Sequence, residues 1–271
     1  MGRLIELNVD EHKKCILDVM SYIHNFCEEH NICYFLTDGS MLGAVRHRGF
    51  IPWDDDMDIM MPRPDYERFI KLFREKANSR YKIHSVYEKK PMFYFTKVYD
   101  TTTVKIENGI DYDRNDTLGI DVDIFPIDGQ PDNSNIKEFK KDYRKRKLLC
   151  IAITLANSKL NTGSFKRRIA AFAAHLIGNR RLVDAYSKIC KKYSFEDSEI
   201  CGCMDFLGGI RNRHRKAIFE EKILYNFEDR KFYIPKLYDE FLSNLYGDYM
   251  TPPPIEKQIS HHSNKVYRKD L

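Results

Sequence analysis

The stretch DGSMLGAVRHRGFIPWDDDMDI, residues 38–59, gathers carboxylates in a way that a fold alone does not reward. Asp54, Asp55, Asp56 and Asp58 fall within five positions, shortly after Gly39 and Ser40. Like charges repel, so this grouping costs stability unless something positive sits among them. The chain must therefore present these acids on a fixed backbone where a cation can reach them.

DMDIMMP (56–62) alternates as a strand does, which puts Asp56 and Asp58 on one face. Their Cα atoms would then lie about 6–7 Å apart, with Asp54 joining them if the strand begins early. Carboxylates so spaced suit one or two Mg2+ ions, which take a few acidic oxygens and complete their shell with water and phosphate. Mn2+ is the alternative for the same oxygen donors. Asp121 and Asp123 in GIDVDIFP repeat the pattern on a later strand, and Asp123, anchored by Ile124, Phe125 and Pro126, is the expected third ligand. Helix capping and turn decoration would explain a single D-x-D; two such pairs on strands weigh against that explanation.

Gly39 and Ser40 supply the complementary part. Glycine lets a backbone approach a phosphate closely, the serine offers a hydroxyl, and a following helix start points free N–H groups at an anion. Arg46 and His47 come next; arginine grips phosphate oxygens bidentately, although Arg46 could equally be a surface residue. Lys97 sits inside an apolar strand as a further substrate contact, with a snorkelling surface lysine as the plainer alternative.

Around these residues the chain reads as mixed α/β. Residues 10–30 carry a helical stripe with Asp10 as N-cap, 33–38 a short buried strand, and 64–80 an amphipathic helix. Four period-two segments follow between 81 and 128. Beyond Asn133 the pattern is mostly helical, at 135–157, 164–178, 180–193 and 235–247. The expected organisation is a nucleotidyltransferase-like core over 1–132, with a mixed sheet and flanking helices, and a helical region over 133–271 covering the cleft. Strand, Gly-Ser, helix and then D-x-D on the next strand is the layout of that fold.

The formal charge of +5 arises largely in KEFKKDYRKRK (137–147), so affinity of the whole chain for nucleic acid is not implied. Seven scattered cysteines and no signal-like N-terminal core read as a reduced, cytoplasmic protein. CGC (201–203) with His214 has poor zinc spacing, and His261–His262 reads as a surface pair. The basic run before LLCIAITLA, and KRR (166–168) before IAAFAAHLI, suit either peripheral docking at the inner membrane face or a solvated helix face. In LYGDYMTPPP, Tyr246 and Asp248 are candidate donor-pocket residues, with a helix cap as the alternative.

GSMLGAVRHRGFIPWDDDMDIMMPRPDYERF resembles the LicD family signature almost throughout, and DVDIFPIDG and LYGDYMTPPP recur in the expected order. The resemblance covers about residues 10–130 and 230–262. It implies transfer of a phospho-alcohol, chiefly phosphocholine from CDP-choline, to a hydroxyl of a bacterial surface glycan such as teichoic acid, capsule or lipopolysaccharide precursor, with release of CMP. The acceptor would be a glycan, in some cases lipid-linked. Ribitol phosphate, as in the related fukutin group, glycerol phosphate and true nucleotidyl transfer are the alternatives. By position the resemblance puts catalytic and metal-binding roles on Asp56, Asp58 and Asp123, and donor contact on Gly39, Ser40, Arg46 and His47. The family's usual Thr after Gly39 is Ser40 here, which keeps the hydroxyl.

Overall fold

A computed structural model describes residues 4–160, 162–203, 209–259 and 265–270. Its helices are α1 (Val9–Glu29), α2 (Asp38–His47), α3 (Arg63–Lys76), α4 (Ile136–Ala156), α5 (Phe165–Ile177), α6 (Asn179–Cys190) and α7 (Tyr238–Tyr246). The strands of the first half are β1 (Leu4–Glu6), β2 (Phe35–Leu36), β3 (Asp58–Pro62), β4 (Tyr81–His84), β5 (Thr96–Asp100), β6 (Thr103–Ile106) and β7 (Asp121–Gln130). Those of the second half are β8 (Ile200–Cys203), β9 (His214–Arg215), β10 (Lys222–Phe227), β11 (Arg230–Pro235) and β12 (Lys265–Lys269).

The main sheet runs β2-β3-β7-β5-β4, with β8 on the far part of β7 and β9 beyond it. Only the β3–β7 pairing is parallel; β2, β5 and β8 join antiparallel. β7 is ten residues long, and different parts of it pair with different neighbours: its start with β5 and β3, its end with β8. That length lets one strand organise both the candidate site and the junction with the second half. β12 lies between β1 and β6 in a separate small sheet, and β10–β11 form a hairpin.

α1 forms because a capping box starts it and an apolar stripe buries it. Asn8 accepts from the Glu11 amide, and the Glu11 carboxylate accepts from the Asn8 amide. The cap is thus Asn8 rather than Asp10, which already lies in the first turn and there favours the helix dipole. Ile16, Val19, Met20 and Ile23 of α1 enter a core shared with Phe35, Met57, Ile59, Phe69, Val122 and Ile124. A second, smaller core joins α4, α5 and α6 through Cys150, Ile153, Ala174, Val183 and Tyr186. The four expected helices of the second half are present. Strands β8 to β12, which sequence periodicity did not assign, lie among and after them.

Candidate functional site

The turn from β2 into α2 is held by the strand that carries the acids. The Thr37 amide donates to the Asp58 carbonyl at 3.0 Å, and the Asp58 amide donates to Ser40 Oγ at 2.8 Å. Ser40 is buried, and its hydroxyl oxygen is engaged in fixing the first residue of β3. Asp38, at the first position of α2, has φ +45°, a left-handed conformation uncommon for a residue with a side chain. A Cβ on Gly39 would lie 2.5 Å from Asp54 Oδ2. The Asp54 carboxylate folds back against the helix start, and a larger residue at 39 would displace it.

Strand register then assembles the site. Asp58 on β3 is the partner of Asp123 on β7; Asp123 faces Lys97 on β5, and Lys97 faces His84 on β4. Partners in register share a sheet face, so these four side chains form one polar row. The row is backed by core: Met57 is fully buried while Asp56 and Asp58 on either side are half-buried, as alternation requires. Because β3 begins at Asp58, Asp54 and Asp56 come from the preceding loop. Lys97, far from being a surface residue, is 3% exposed. Its Nζ lies 2.6 Å from Asp123 Oδ1 and 3.3 Å from Asp121 Oδ2, while Lys105 Nζ lies 2.8 Å from Asp121 Oδ1.

These contacts set the charge of each acid. Burial pushes Asp58 well above the usual carboxylate range, and Asp56, Asp123, Asp38 and Asp54 push it further. Burial raises Asp123 to about 6, with Lys97 opposing and Asp121 adding to the rise. Burial also acts to raise Asp121, but Lys105 and Lys97 outweigh it and hold that acid below its ordinary value. Asp38, Asp54, Asp56 and Asp58 thus form an acid corner, and Asp121 and Asp123 beside it are matched by two lysines.

That corner offers oxygen donors of the kind a divalent metal takes. Among the described residues no three His, Cys, Asp or Glu side chains are arranged to enclose an ion by themselves. A hard cation that takes one or two carboxylates, water and substrate phosphate needs no such cage. Asp56 and Asp58 have oxygen donors, and the upward push on Asp58, from burial first and then from neighbouring carboxylates, is of a kind that a cation relieves. Asp123 lies beside them, but Lys97 already bonds one of its oxygens.

A second cluster forms at the other end of α2, about 12 Å along the axis from Asp38. Arg46 Nη1 donates to the Tyr249 carbonyl at 2.8 Å, and Arg46 Nε to His47 Nδ1 at 3.4 Å. Burial lowers the Arg46 pKa, and Tyr246 nearby counters it. The His47 ring stands edge-on to Trp53 at 6.2 Å. The structure therefore brings Arg46, His47 and Tyr246 together; Asp248 is exposed and accepts from Thr251 Oγ1 at 2.7 Å. Cys201 and Cys203 are free thiols on β8, and His261 and His262 lie outside the described residues.

Three participants were not singled out from the sequence. Asp38 adds a carboxylate directly before Gly39, a position the quoted stretch displays. Lys105 is signalled only by a lysine inside an alternating strand. His12 on α1 is buried, which lowers its pKa, with Lys105 lowering it further and Asp55, Asp121 and Asp56 opposing; nothing in its helical stripe marks it.

Residues 31–150 match the family described as LicD/FKTN/FKRP, nucleotidyltransferase domain. Over 267 residues, 97% of this chain and 98% of the relative, the sequence is 28% identical to the Haemophilus influenzae lipopolysaccharide cholinephosphotransferase LicD. Shorter matches reach uncharacterised proteins of Rickettsia typhi (35% over 68 residues; 25% of this chain, 22% of the relative) and Rickettsia prowazekii (42% over 50; 18% and 19%).

Proposed function

The chain belongs to the LicD family, and from that premise we propose that it transfers phosphocholine from CDP-choline to a sugar hydroxyl of a bacterial surface glycan, releasing CMP. The observation that carries this reading is the acid corner itself: Asp58 in register with Asp123, with Asp38, Asp54 and Asp56 raising its pKa. Such a corner is unfavourable alone and complementary to a metal-bound diphosphate. The relative's name, a lipopolysaccharide cholinephosphotransferase, favours choline as the alcohol and a glycan as the acceptor.

The acceptor oxygen forms a bond to the distal phosphorus, the bond from that phosphorus to the bridging oxygen breaks, and CMP departs with the electron pair. When held by Asp56 and Asp58, Mg2+ supplies neutralisation of the diphosphate and of the leaving oxygen. Asp123, with its pKa raised to about 6, takes the hydroxyl proton, because a base titrating near neutrality is both deprotonated and basic enough to accept it. Lys97 keeps that carboxylate from rising further and fixes its position. Arg46, His47 and Tyr246 lie one helix length away, a separation that an extended nucleotide diphosphate bridges, and would receive the far end of the donor.

The test is CMP release from CDP-choline in the presence of a glycan acceptor, wild type against Asp56→Asn. Loss of release in the variant is expected, and unchanged turnover would remove the metal assignment. Turnover of CDP-ribitol or CDP-glycerol without CDP-choline would overturn the choline assignment. Pyrophosphate release from a nucleoside triphosphate would instead make the protein a nucleotidyltransferase.

A further inference from the structure

α5 has its large residues on the wrong side for a helix packed in a water-soluble domain. Ala171 and Ala174 face inward, and Ala174 lets the helix approach α4 and α6 closely. Phe165, Ile169, Phe172 and Leu176 face outward, exposed by 74%, 55%, 56% and 70%. They recur at i, i+4, i+7 and i+11, which makes one continuous stripe. Single exposed apolar residues are ordinary; a contiguous row on one helix marks a contact surface.

The surrounding charge identifies the contact. At about 100° per residue, Lys166 and Arg168 flank the stripe on its two sides, and both are exposed. Between Tyr143 and Val183 the chain holds ten Lys and Arg and no Asp or Glu. A second copy of this helix would set basic flanks against basic flanks, which repel. No described helix is long and apolar enough to cross a membrane. An apolar stripe with basic margins on a helix too short to span matches the physics of a segment lying in the plane of an anionic bilayer.

We propose that α5 seats the protein on an anionic phospholipid surface, with Phe165, Ile169, Phe172 and Leu176 entering the headgroup–acyl boundary and Lys166 and Arg168 engaging lipid phosphates. This goes beyond the transfer reaction and is tested apart from it. The full chain is sedimented with vesicles of phosphatidylcholine alone, and of equal parts phosphatidylcholine and phosphatidylglycerol, at low and high salt. The expected result is pelleting with the anionic vesicles, about tenfold weaker with neutral ones and weakened by salt. Ile169→Ser with Phe172→Ser reduces partitioning by roughly tenfold per residue, the order set by transfer of a large apolar side chain. Lys166→Glu with Arg168→Glu removes the preference for anionic vesicles. Both pairs lie on the outer face, so thermal unfolding and turnover on a soluble acceptor stay at wild-type values. If a variant fails to fold, the wild-type comparison of anionic with neutral vesicles decides alone. Wild type remaining in the supernatant with anionic vesicles, equal binding to both vesicle types, or undiminished binding by the serine variant would overturn the proposal. So would a wild-type dimer in light scattering that the serine variant converts to monomer.

Discussion

Replacing Asp58 by Asn is expected to make the metal-free protein more stable while destroying its activity. Asp58 and Asp123 are partners on adjacent parallel strands, and such strands lie about 5 Å apart. At an effective dielectric constant of about 20, two carboxylates at that distance repel by about 3 kcal/mol. Lys97 neutralises part of the Asp123 charge, while Asp56, Asp38 and Asp54 add repulsion of the same sign. A net gain of about 1–2 kcal/mol follows for the isosteric amide, or a melting temperature higher by about 2–8 °C. Its pH dependence has a definite sign. Asp58 and Asp123 have folded-state pKa values above their ordinary ones, so the folded protein binds protons that the unfolded chain does not. Wild-type stability therefore falls as pH rises through about 6, and the variant's advantage is largest above that point and fades towards the ordinary carboxylate pKa of 3.8. The assay is thermal unfolding of both proteins in chelator and in Mg2+, from acid to mildly alkaline pH. Mg2+ should raise the wild-type melting temperature above pH 6 and leave the variant nearly unmoved, with turnover down roughly a hundredfold or more. A variant less stable than wild type in chelator at high pH, or equal responses of the two proteins to Mg2+, would refute the surplus-charge argument.

Lys97→Met leaves Asp123 and Asp121 short of a cation in a buried place and should cost about 3–5 kcal/mol in urea unfolding. It should also shift the acidic limb of the rate profile upward, since Lys97 is the main group holding the Asp123 pKa down to about 6. Arg46→Ala removes a guanidinium that donates to the Tyr249 carbonyl and to His47. It should raise the KM for the nucleotide donor by roughly tenfold, the order of one charge-assisted contact, with a melting temperature within a few degrees of wild type; an unchanged KM would detach Arg46 from donor binding.

The acid corner was legible because its signal is local. D-x-D marks acids close together, although only Asp121 and Asp123 share a strand face and Asp56 joins Asp58 from the loop before β3; Gly39 ahead of it marks a close approach, here by Asp54. The longer helices, α1, α3, α4, α5 and α6, were legible because they run for three turns or more. What escaped depends on pairing between distant segments. Lys97 reads as a lone lysine until β5 is set against β7, and Lys105 until Asp121 is placed over it. β8 has four residues with a glycine among them, and β10, β11 and β12 carry Lys or Arg beside their apolar residues, so period-two alternation is faint. Ser40 shows the limit of motif reasoning: a hydroxyl expected to greet a phosphate also accepts the Asp58 amide, a role set by the return of β3.

The two D-x-D pairs, alike in sequence, are opposites in electrostatics. Asp121 sits between Lys97 and Lys105 and stays ionised at a pH where its neighbours hold protons. Asp123 shares Lys97 and is displaced only to about 6. Asp58 lies one strand further from the lysines, and burial, with four other carboxylates, pushes it well above its ordinary value. The row therefore grades from a lysine-matched acid, through one poised near neutrality, to one that burial and neighbouring carboxylates push upward. A structural network would be expected to close that gradient with another cation of its own. In the proposed reaction a metal and a diphosphate arriving together would relieve the repulsion at the end where the backbone of α2 starts. The roles in that proposed reaction divide accordingly: Asp121 holds the lysines, Asp123 takes the proton, and Asp56 and Asp58 would hold the ion.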